Sequence, residues 1–400
     1  MMPSLTAGKI LPVAAMLTLL GACMVGPKYL RPSVATPTAY KEAGDWKIAQ
    51  PRDAVERGKW WQIFGDAQLN ALAAQIDISN QNVRFAEAKL RQAEALVEQA
   101  RAGLFPTLAT TASAARSRSP SLAGSPVATT APVNTYNLSL NASWAVDLWG
   151  SVRRTIEANV ANAQASAAIV TNARLLAQAQ LAINYLQLRV LDSQRQLHDT
   201  SVAAYQKSLE LTRNRYNAGV AGRVDVVQAE TQLRSTQAQA IDIGVQRALL
   251  EHAIAVLVGK APAEFSIAPA QLTISLPAIP VGVPSELLER RPDIAAAERQ
   301  MAVANAQIGI AQTAYFPSLT LSAASGFKAS SPPNWFTIPS RFWSVGPALA
   351  ETLFDGGLRR AVTNQAIATY DANVATYRQT VLNGFKEVED NLAALRVLEE

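Results

Sequence analysis

The chain has 400 residues, with 36 Lys+Arg against 31 Asp+Glu and a net charge of +5, too weakly basic to argue nucleic-acid binding. Hydrophobic residues make up 49% but aromatics only 6% and charged residues 17%, so small and aliphatic side chains carry the apolar share, which suits long, closely packed helices. One Cys and two His, His198 and His252, exclude an intrachain disulfide and a Cys-rich zinc site and leave His-dependent catalysis little to draw on.

The chain opens with Lys9 and an apolar run from Ile10 to Leu20, then Leu20-Gly21-Ala22-Cys23. An apolar core of about 11 residues is too short to span a membrane, which takes ~20, so residues 1–22 read as an export signal. A leucine and two small residues before a cysteine resemble a bacterial lipobox, in which Cys23 is acylated and becomes the first mature residue. Met24 follows, and similar lipoproteins without Asp at that place reach the outer membrane. Residues 23–65 are then a lipidated N-terminal segment, with the acyl chains anchoring at ~0.8 kcal/mol per buried methylene.

From Asp66 to Ala102 there is neither Gly nor Pro, which predicts one long helix, ending just before Phe105-Pro106. Two β segments follow, about 106–117 and 135–149. In the second, Tyr136, Leu138, Leu140, Ala142, Trp144, Val146 and Leu148 alternate with Asn137, Ser139, Asn141, Ser143, Ala145, Asp147 and Trp149. Apolar on one face and polar on the other, with aromatics near the ends, is the pattern of a barrel strand facing lipid and lumen; a sandwich strand with one solvated face gives the same alternation. Pro106, Trp144, Asp147, Trp149 and Pro317 mark strand ends. Arg153-Arg154 and Arg359-Arg360 follow such ends, where basic residues meet lipid headgroups or are simply solvated.

Ser151 to Ala218 gives 68 residues without a helix breaker, a helix of roughly 100 Å. Ile156, Val160, Ala163, Ala167, Val170, Ala177, Leu181, Leu188 and Leu191 keep a 4,3 spacing, interrupted by Arg174 and Asn184, which predicts a coiled-coil-like seam. Pro262, Pro269, Pro277, Pro280 and Pro284 mark a Pro-rich connector over 261–284. Further helices begin at Pro292 and Leu358, and further strands fall at about 317–328 and 342–354.

Phe105-Pro106-Thr107-Leu108 recurs as Phe316-Pro317-Ser318-Leu319, and Asp147 to Arg154 finds its counterpart in Leu353 to Arg360, in the same order and at nearly the same shift. The chain is thus an internal duplication: residues 66–260 form a first repeat and 285–400 a second, incomplete one. Two strands per repeat give four per chain. Four cannot close a membrane barrel, because about eight is the minimum and an open edge in lipid is prohibitive. Several chains must contribute, and three would supply 12 strands.

Four stretches carry a family likeness: Cys23-Met24-Val25-Gly26-Pro27-Lys28-Tyr29 to Pro32; Trp60-Trp61 to Phe64-Gly65-Asp66; Arg215-Tyr216-Asn217-Ala218-Gly219 with Asp225-Val226; and Glu289-Arg290-Arg291-Pro292-Asp293-Ile294 running on to Tyr315-Phe316-Pro317-Ser318-Leu319. The sequence resembles the outer membrane factors, TolC-type channels, most closely the lipoprotein branch of tripartite multidrug efflux pumps of the RND type. The resemblance implies an α+β membrane protein: a homotrimer whose four strands per chain form one 12-stranded barrel, continued by long coiled-coil-like helices as a periplasmic tunnel. It implies an outer membrane lipoprotein of a Gram-negative cell, exporting small molecules passively. The implied partners are a periplasmic adaptor (membrane fusion) protein and an inner-membrane transporter. No enzyme activity, metal or cofactor is implied beyond the acyl anchor on Cys23.

The resemblance places a gate at the periplasmic tip, at about 217–225, carried by Gly219, Gly222, Arg223 and Asp225. Glycines permit a tight reversal between helices, and a carboxylate there forms gating ion pairs, favours cations, or acts as a helix N-terminal acid, with Arg223 its partner or a solvated charge. Adding the repeat shift to Gly219 puts a second tip near position 425, past Glu400, so these 400 residues alone are expected to gate or assemble poorly. Type I protein secretion, metal efflux and a non-transporting trimeric coiled-coil surface lipoprotein are the alternatives. No phosphate loop, nucleophile elbow or metal-spaced ligand set supports an enzyme.

Overall fold

The computed structural model describes residues 24–33, 37, 39–41, 58–118, 131–272 and 290–399. The export signal, Cys23, much of the segment up to residue 57 and the connector residues 273–289 lie outside the described residues. The elements in chain order are α1 (Ala67–Ser79), α2 (Gln81–Ala102), β1 (Thr107–Ser117), β2 (Val133–Val146), α3 (Ser151–Asn217), α4 (Arg223–Leu257), α5 (Pro292–Thr313), β3 (Ser318–Ala329), β4 (Arg341–Ala350) and α6 (Leu358–Glu399).

The single helix expected over 66–102 is two. Asn80 breaks it with extended backbone (φ −65°, ψ 121°), and its side-chain oxygen accepts the N–H groups of Asn82 and Val83 at 3.0 and 3.1 Å, capping α2. Ser79 and Asn80 also donate to the carbonyls of Val258 and Leu257, both at 2.7 Å, so the break ties α1 and α2 to the end of α4. A polar side chain competing for the backbone does here what a proline does elsewhere.

The four strands form one sheet in the order β1-β2-β3-β4, every neighbour antiparallel. β2 starts two residues earlier than expected and stops at Val146 instead of 149, because Asp147 turns its carboxylate onto the start of α3. β4 stops at Ala350 instead of 354, because Ala350 already faces Ser318, the first residue of β3.

The chain forms two compact units. The first draws on residues up to Ala35, Arg91–Ala165 and Ile294–Leu382, and holds the whole sheet; the second draws on Thr36–Leu90, Ser166–Asp293 and Asn383–Glu400. In the second, Trp61, Leu69, Leu72, Ile76, Leu181, Tyr185, Leu188, Ile254 and Ile267 belong to one buried core. In the first, alanine is the commonest residue at buried helix positions, among them Ala158, Ala161, Ala165, Ala304 and Ala306, so the helix backbones approach closely.

The α3 seam needs correcting over its first turns. The buried line there is Arg154, Ala158, Ala161 and Ala165, while Ile156, Val160 and Ala163 are only half-buried and Ala167 is exposed. From Val170 through Ala177, Leu181, Asn184 and Leu188 the expected line is buried. The five-residue step from Ala165 to Val170 cannot be reached by a 4,3 repeat, and hydrophobicity alone favours the larger side chains over the alanines that pack.

Candidate functional site

Cross-strand register makes the two faces of the sheet consistent across all four strands. Leu319, Leu321, Ala323, Ser325 and Phe327 of β3 lie opposite Val146, Trp144, Ala142, Leu140 and Leu138 of β2, and opposite Leu349, Pro347, Val345, Trp343 and Arg341 of β4. The reverse face carries Thr107, Ala109, Thr111 and Ser113, then Asn137, Ser139, Asn141 and Ser143, then Thr320, Ser322, Ala324 and Gly326, then Ser344, Gly346 and Ala348. One face is a band of large apolar side chains with Trp343 at 73% exposure, Val345 at 72% and Leu349 at 69%; the other is mostly small and weakly polar, with Val133, Lys328 and Phe342 as its larger side chains, all toward the loop end. Such a sheet presents apolar bulk to lipid and a smooth wetted surface to a lumen. Among the described residues no helix is long and apolar enough to cross a membrane.

Aromatic rings sit at both ends of the sheet, those at the loop end against Tyr136 and Phe327 of the apolar face. At the loop end Trp335 stacks on Phe336 (5.0 Å) and lies 5.6 Å from Tyr136, with Phe327 against Phe336 at 5.7 Å. At the helix end Trp149 stacks on Phe316 at 4.8 Å and donates its ring N–H to the carbonyl of Pro317 at 2.7 Å. From Phe316 to Phe327 is 11 residues, ~36 Å along a strand and ~28 Å vertically at a ~40° tilt, close to the ~25 Å apolar band of membrane barrels. Trp144 points to the same face two residues inside the end of β2, while Pro106 and Pro317 each precede a strand directly.

All four strands meet their helices at one end of the sheet. Two equivalent turns achieve this. Asp147 accepts the N–H groups of Val152 and Arg153, both at 3.0 Å, and pairs with the Arg153 guanidinium at 3.1 Å. Asp355 accepts the N–H groups of Gly357 and Arg359 and pairs with the Arg359 guanidinium at 2.6 Å. That arginine, and then the two N–H groups, hold the Asp355 carboxyl below its usual range. Three of the four basic residues read as lipid-facing or solvated are therefore structural: Arg153 and Arg359 are paired, and Arg154 is buried. Arg360 alone is exposed.

Arg154 grips the segment that directly follows Cys23. Its guanidinium donates to the carbonyls of Val25 (3.0 Å) and Gly26 (2.9 Å) and pairs with Glu157 at 2.7 Å. Val25 N–H donates to Trp149 O, Asn305 to Pro27 O, and Tyr29 to Glu298. Burial and the Glu298 carboxylate push the Tyr29 hydroxyl well above its ordinary range. A Cβ on Gly150 would lie 2.7 Å from Met24 Cγ, so Met24 rests on the turn between β2 and α3. The sequence carried no signal for this clamp beyond the presence of Arg154 and Gly26.

The reversal between α3 and α4 contains Gly219 at φ +78°, a left-handed conformation for which glycine is suited. Gly222 has φ −82° and serves as the N-cap of α4; its N–H donates to the Asp225 carboxylate at 2.8 Å. Asp225 is thus engaged with its own helix terminus within one chain, and no ion pair of the described residues joins it to Arg223. The ion pair that spans the two helices near the turn is Arg213–Glu230 at 3.6 Å, which the sequence reading missed.

A four-stranded sheet with two unpaired edges, one lipid-suited face and all its helices at one end is a subunit of an outer membrane channel. Residues 72–260 and 283–400 match the model of the outer membrane efflux protein family, and the chain belongs to that family. It is 30% identical to the toluene efflux pump outer membrane protein TtgC of Pseudomonas putida over 98% of this chain and 81% of that protein. It is 29% identical to the pyoverdine export outer membrane protein OpmQ of Pseudomonas aeruginosa, over 94% and 79% respectively. Among solved structures, the outer-membrane channel OprN superposes with a TM-score of 0.85 at 32% identity, over 93% of this chain and 83% of that one.

Proposed function

We propose that three copies of this chain close a single 12-stranded barrel and act as the passive outer membrane conduit of a tripartite pump exporting small molecules. The observation that carries this is the pair of open edges. β1 and β4 lie at opposite sides of the sheet and run antiparallel to one another, so β4 of one copy continues into β1 of the next with the alternation unbroken, and the apolar face stays on one side. Pairing like edges instead would also make a closed set, but it would send the helices of two copies out of opposite ends of the barrel.

The acyl anchor on Cys23 fits this arrangement. Met24, the residue that would follow the anchor, rests on Gly150 in the turn after β2, so the start of the mature chain is tied to the sheet. The small-molecule reading draws on the relatives named above, one a toluene efflux and one a pyoverdine export protein. An adaptor protein and an inner-membrane transporter are the partners such a conduit requires, since a passive channel supplies no energy of its own. The test is single-channel conductance in a planar bilayer with the oligomeric mass measured alongside. A trimer that conducts, with gating looser than in a relative carrying both tips, supports the reading; a monomer without conductance would overturn it.

A further inference from the structure

The two ends of the sheet treat arginine differently. At the helix end Arg153 and Arg359 each have an aspartate partner, at 3.1 and 2.6 Å. At the loop end, residues 107–146 and 318–350 contain four cations, Arg116, Arg118, Lys328 and Arg341, and not one Asp or Glu. Arg116 and Arg341 are exposed, and no ion pair or side-chain hydrogen bond of the described residues reaches either guanidinium.

Register fixes which way they point. Arg341 faces Phe327, and Arg116 faces Asn134 on the side of Tyr136, so both lie on the apolar face; Lys328, opposite Asn137, lies on the other. Arg116 is nine residues from the start of β1, a vertical distance of ~23 Å at ~40° tilt, and Arg341 is ~20 Å above Leu349. A cation on the lipid face costs ~2–4 kcal/mol at mid-membrane and ~0–1 kcal/mol at the interface, so these positions suit only the headgroup layer. The two residues also occupy the two free edges of the sheet, β1 and β4.

We propose that Arg116 of one copy and Arg341 of the next form a site for the anionic phosphate of an outer-leaflet lipid headgroup, at the seam where β4 and β1 join. Two guanidiniums offer forked donors to one phosphate, and the cluster of Tyr136, Trp335 and Phe336 at the same end of the sheet lies at the height where acyl chains give way to headgroups. The absence of any carboxylate on this part of the chain leaves the lipid as the source of countercharge. The site rests on the edge-to-edge assembly proposed above.

The test uses the full chain in neutral detergent, titrated with phosphatidylglycerol or phosphatidylcholine and read by native mass spectrometry, which reports bound lipid and oligomer together. A trimer that binds phosphatidylglycerol more tightly is expected, with Arg116→Gln and Arg341→Gln each weakening it about fivefold, phosphatidylcholine unaffected and Lys328→Gln without effect. A trimer whose double arginine variant binds like the wild type overturns the lipid site alone. So does an equal loss in Lys328→Gln, which would reduce the effect to net charge. Displacement by equimolar inorganic phosphate would reassign the site to a free anion. A monomer would overturn the seam and the barrel together.

Discussion

Gly26 and Gly309 meet backbone to backbone: a Cβ on Gly26 would lie 2.4 Å from the Cα of Gly309, and Gly26 holds φ +101°. A Cβ on Gly309 would in turn sit 2.8 Å from the Nε of Arg154. Neither backbone atom can retreat without releasing the Arg154 hydrogen bonds to Val25 and Gly26. Gly26→Ala should therefore cost about 2–4 kcal/mol and free the segment that follows Cys23. Limited proteolysis near residues 24–33 and thermal unfolding would measure it; unchanged proteolysis would contradict the clamp.

Asp147 is a single side chain serving a turn, a helix start and an ion pair. Asp147→Asn keeps the shape but loses the charge and one acceptor oxygen, and should destabilise by about 1–2 kcal/mol. Asp355→Asn removes the equivalent contacts in the second repeat. The Asp355 carboxyl titrates below its unfolded value, so its contribution is present above the unfolded carboxylate range and lost as pH falls through the folded value. Thermal scans from pH 7 to pH 3 should show that loss in the wild type and not in Asp355→Asn.

The duplication, the strand segments and the helix reversal were legible because each depends on local pattern: alternation at period two, the absence of breakers, and repeated Phe-Pro and Asp-to-Arg-Arg strings. The Asn80 break was not, because an asparagine capping a helix looks the same in sequence as an asparagine on its surface. Nor was the true line of α3, where the buried residues are alanines and the more hydrophobic Ile156 and Val160 stand only half-buried. The clamp on residues 24–29 depends on Arg154, Gly309 and Glu298, brought together from more than 120 residues away, as the spacing of 129 between Val25 and Arg154 illustrates. Long-range contacts of that kind leave no periodic trace.

The tip offers a test that separates backbone from charge. Gly219 is left-handed with open space around it, so Gly219→Ala should cost ~1–2 kcal/mol through φ alone and Gly219→Asn less. Gly222 sits at φ −82°, and Gly222→Ser should be neutral or slightly stabilising as an N-cap. Asp225→Ala should loosen the first turn of α4 by ~1 kcal/mol. If Asp225→Ala alters channel opening while Gly222→Ser does not, the carboxylate and not the turn controls the tip.

Tyr185 reports on pH from inside the helical unit. Its hydroxyl donates to Asp66 at 2.7 Å and accepts from Arg189 at 3.1 Å. Burial, then the Asp66 bond, push it up to about 12. An unfolded tyrosine titrates near ~10, so the folded value is the higher one. Stability from this group is fully present below ~10 and is lost as pH rises toward about 12, a loss of ~2–3 kcal/mol. Denaturant unfolding between pH 9 and 12 should show that slope, and Tyr185→Phe should flatten it.

Asp192 makes the strongest demand on its surroundings. Only 4% of its side chain is exposed, and it pairs with both Arg189 (3.0 Å) and Arg247 (2.6 Å) while accepting the N–H of Ala270 at 3.2 Å. The two arginines in turn hold the carbonyls of Ala268 and Ile267, so one carboxylate fixes the extended stretch after α4 onto α3 and α4. Asp192→Ala leaves the buried Arg189 and the half-buried Arg247 without their shared anion and should cost about 3–5 kcal/mol, more than any surface pair on the chain. The loss should also be local in a definite order. Ile267 keeps its N–H on Glu251, whereas Ala270 loses its acceptor, so hydrogen exchange should accelerate at Ala270 before Ile267. Equal acceleration at both would mean that the stretch opens as one unit and that Glu251, which also pairs with Arg247, depends on Asp192 to stay in place.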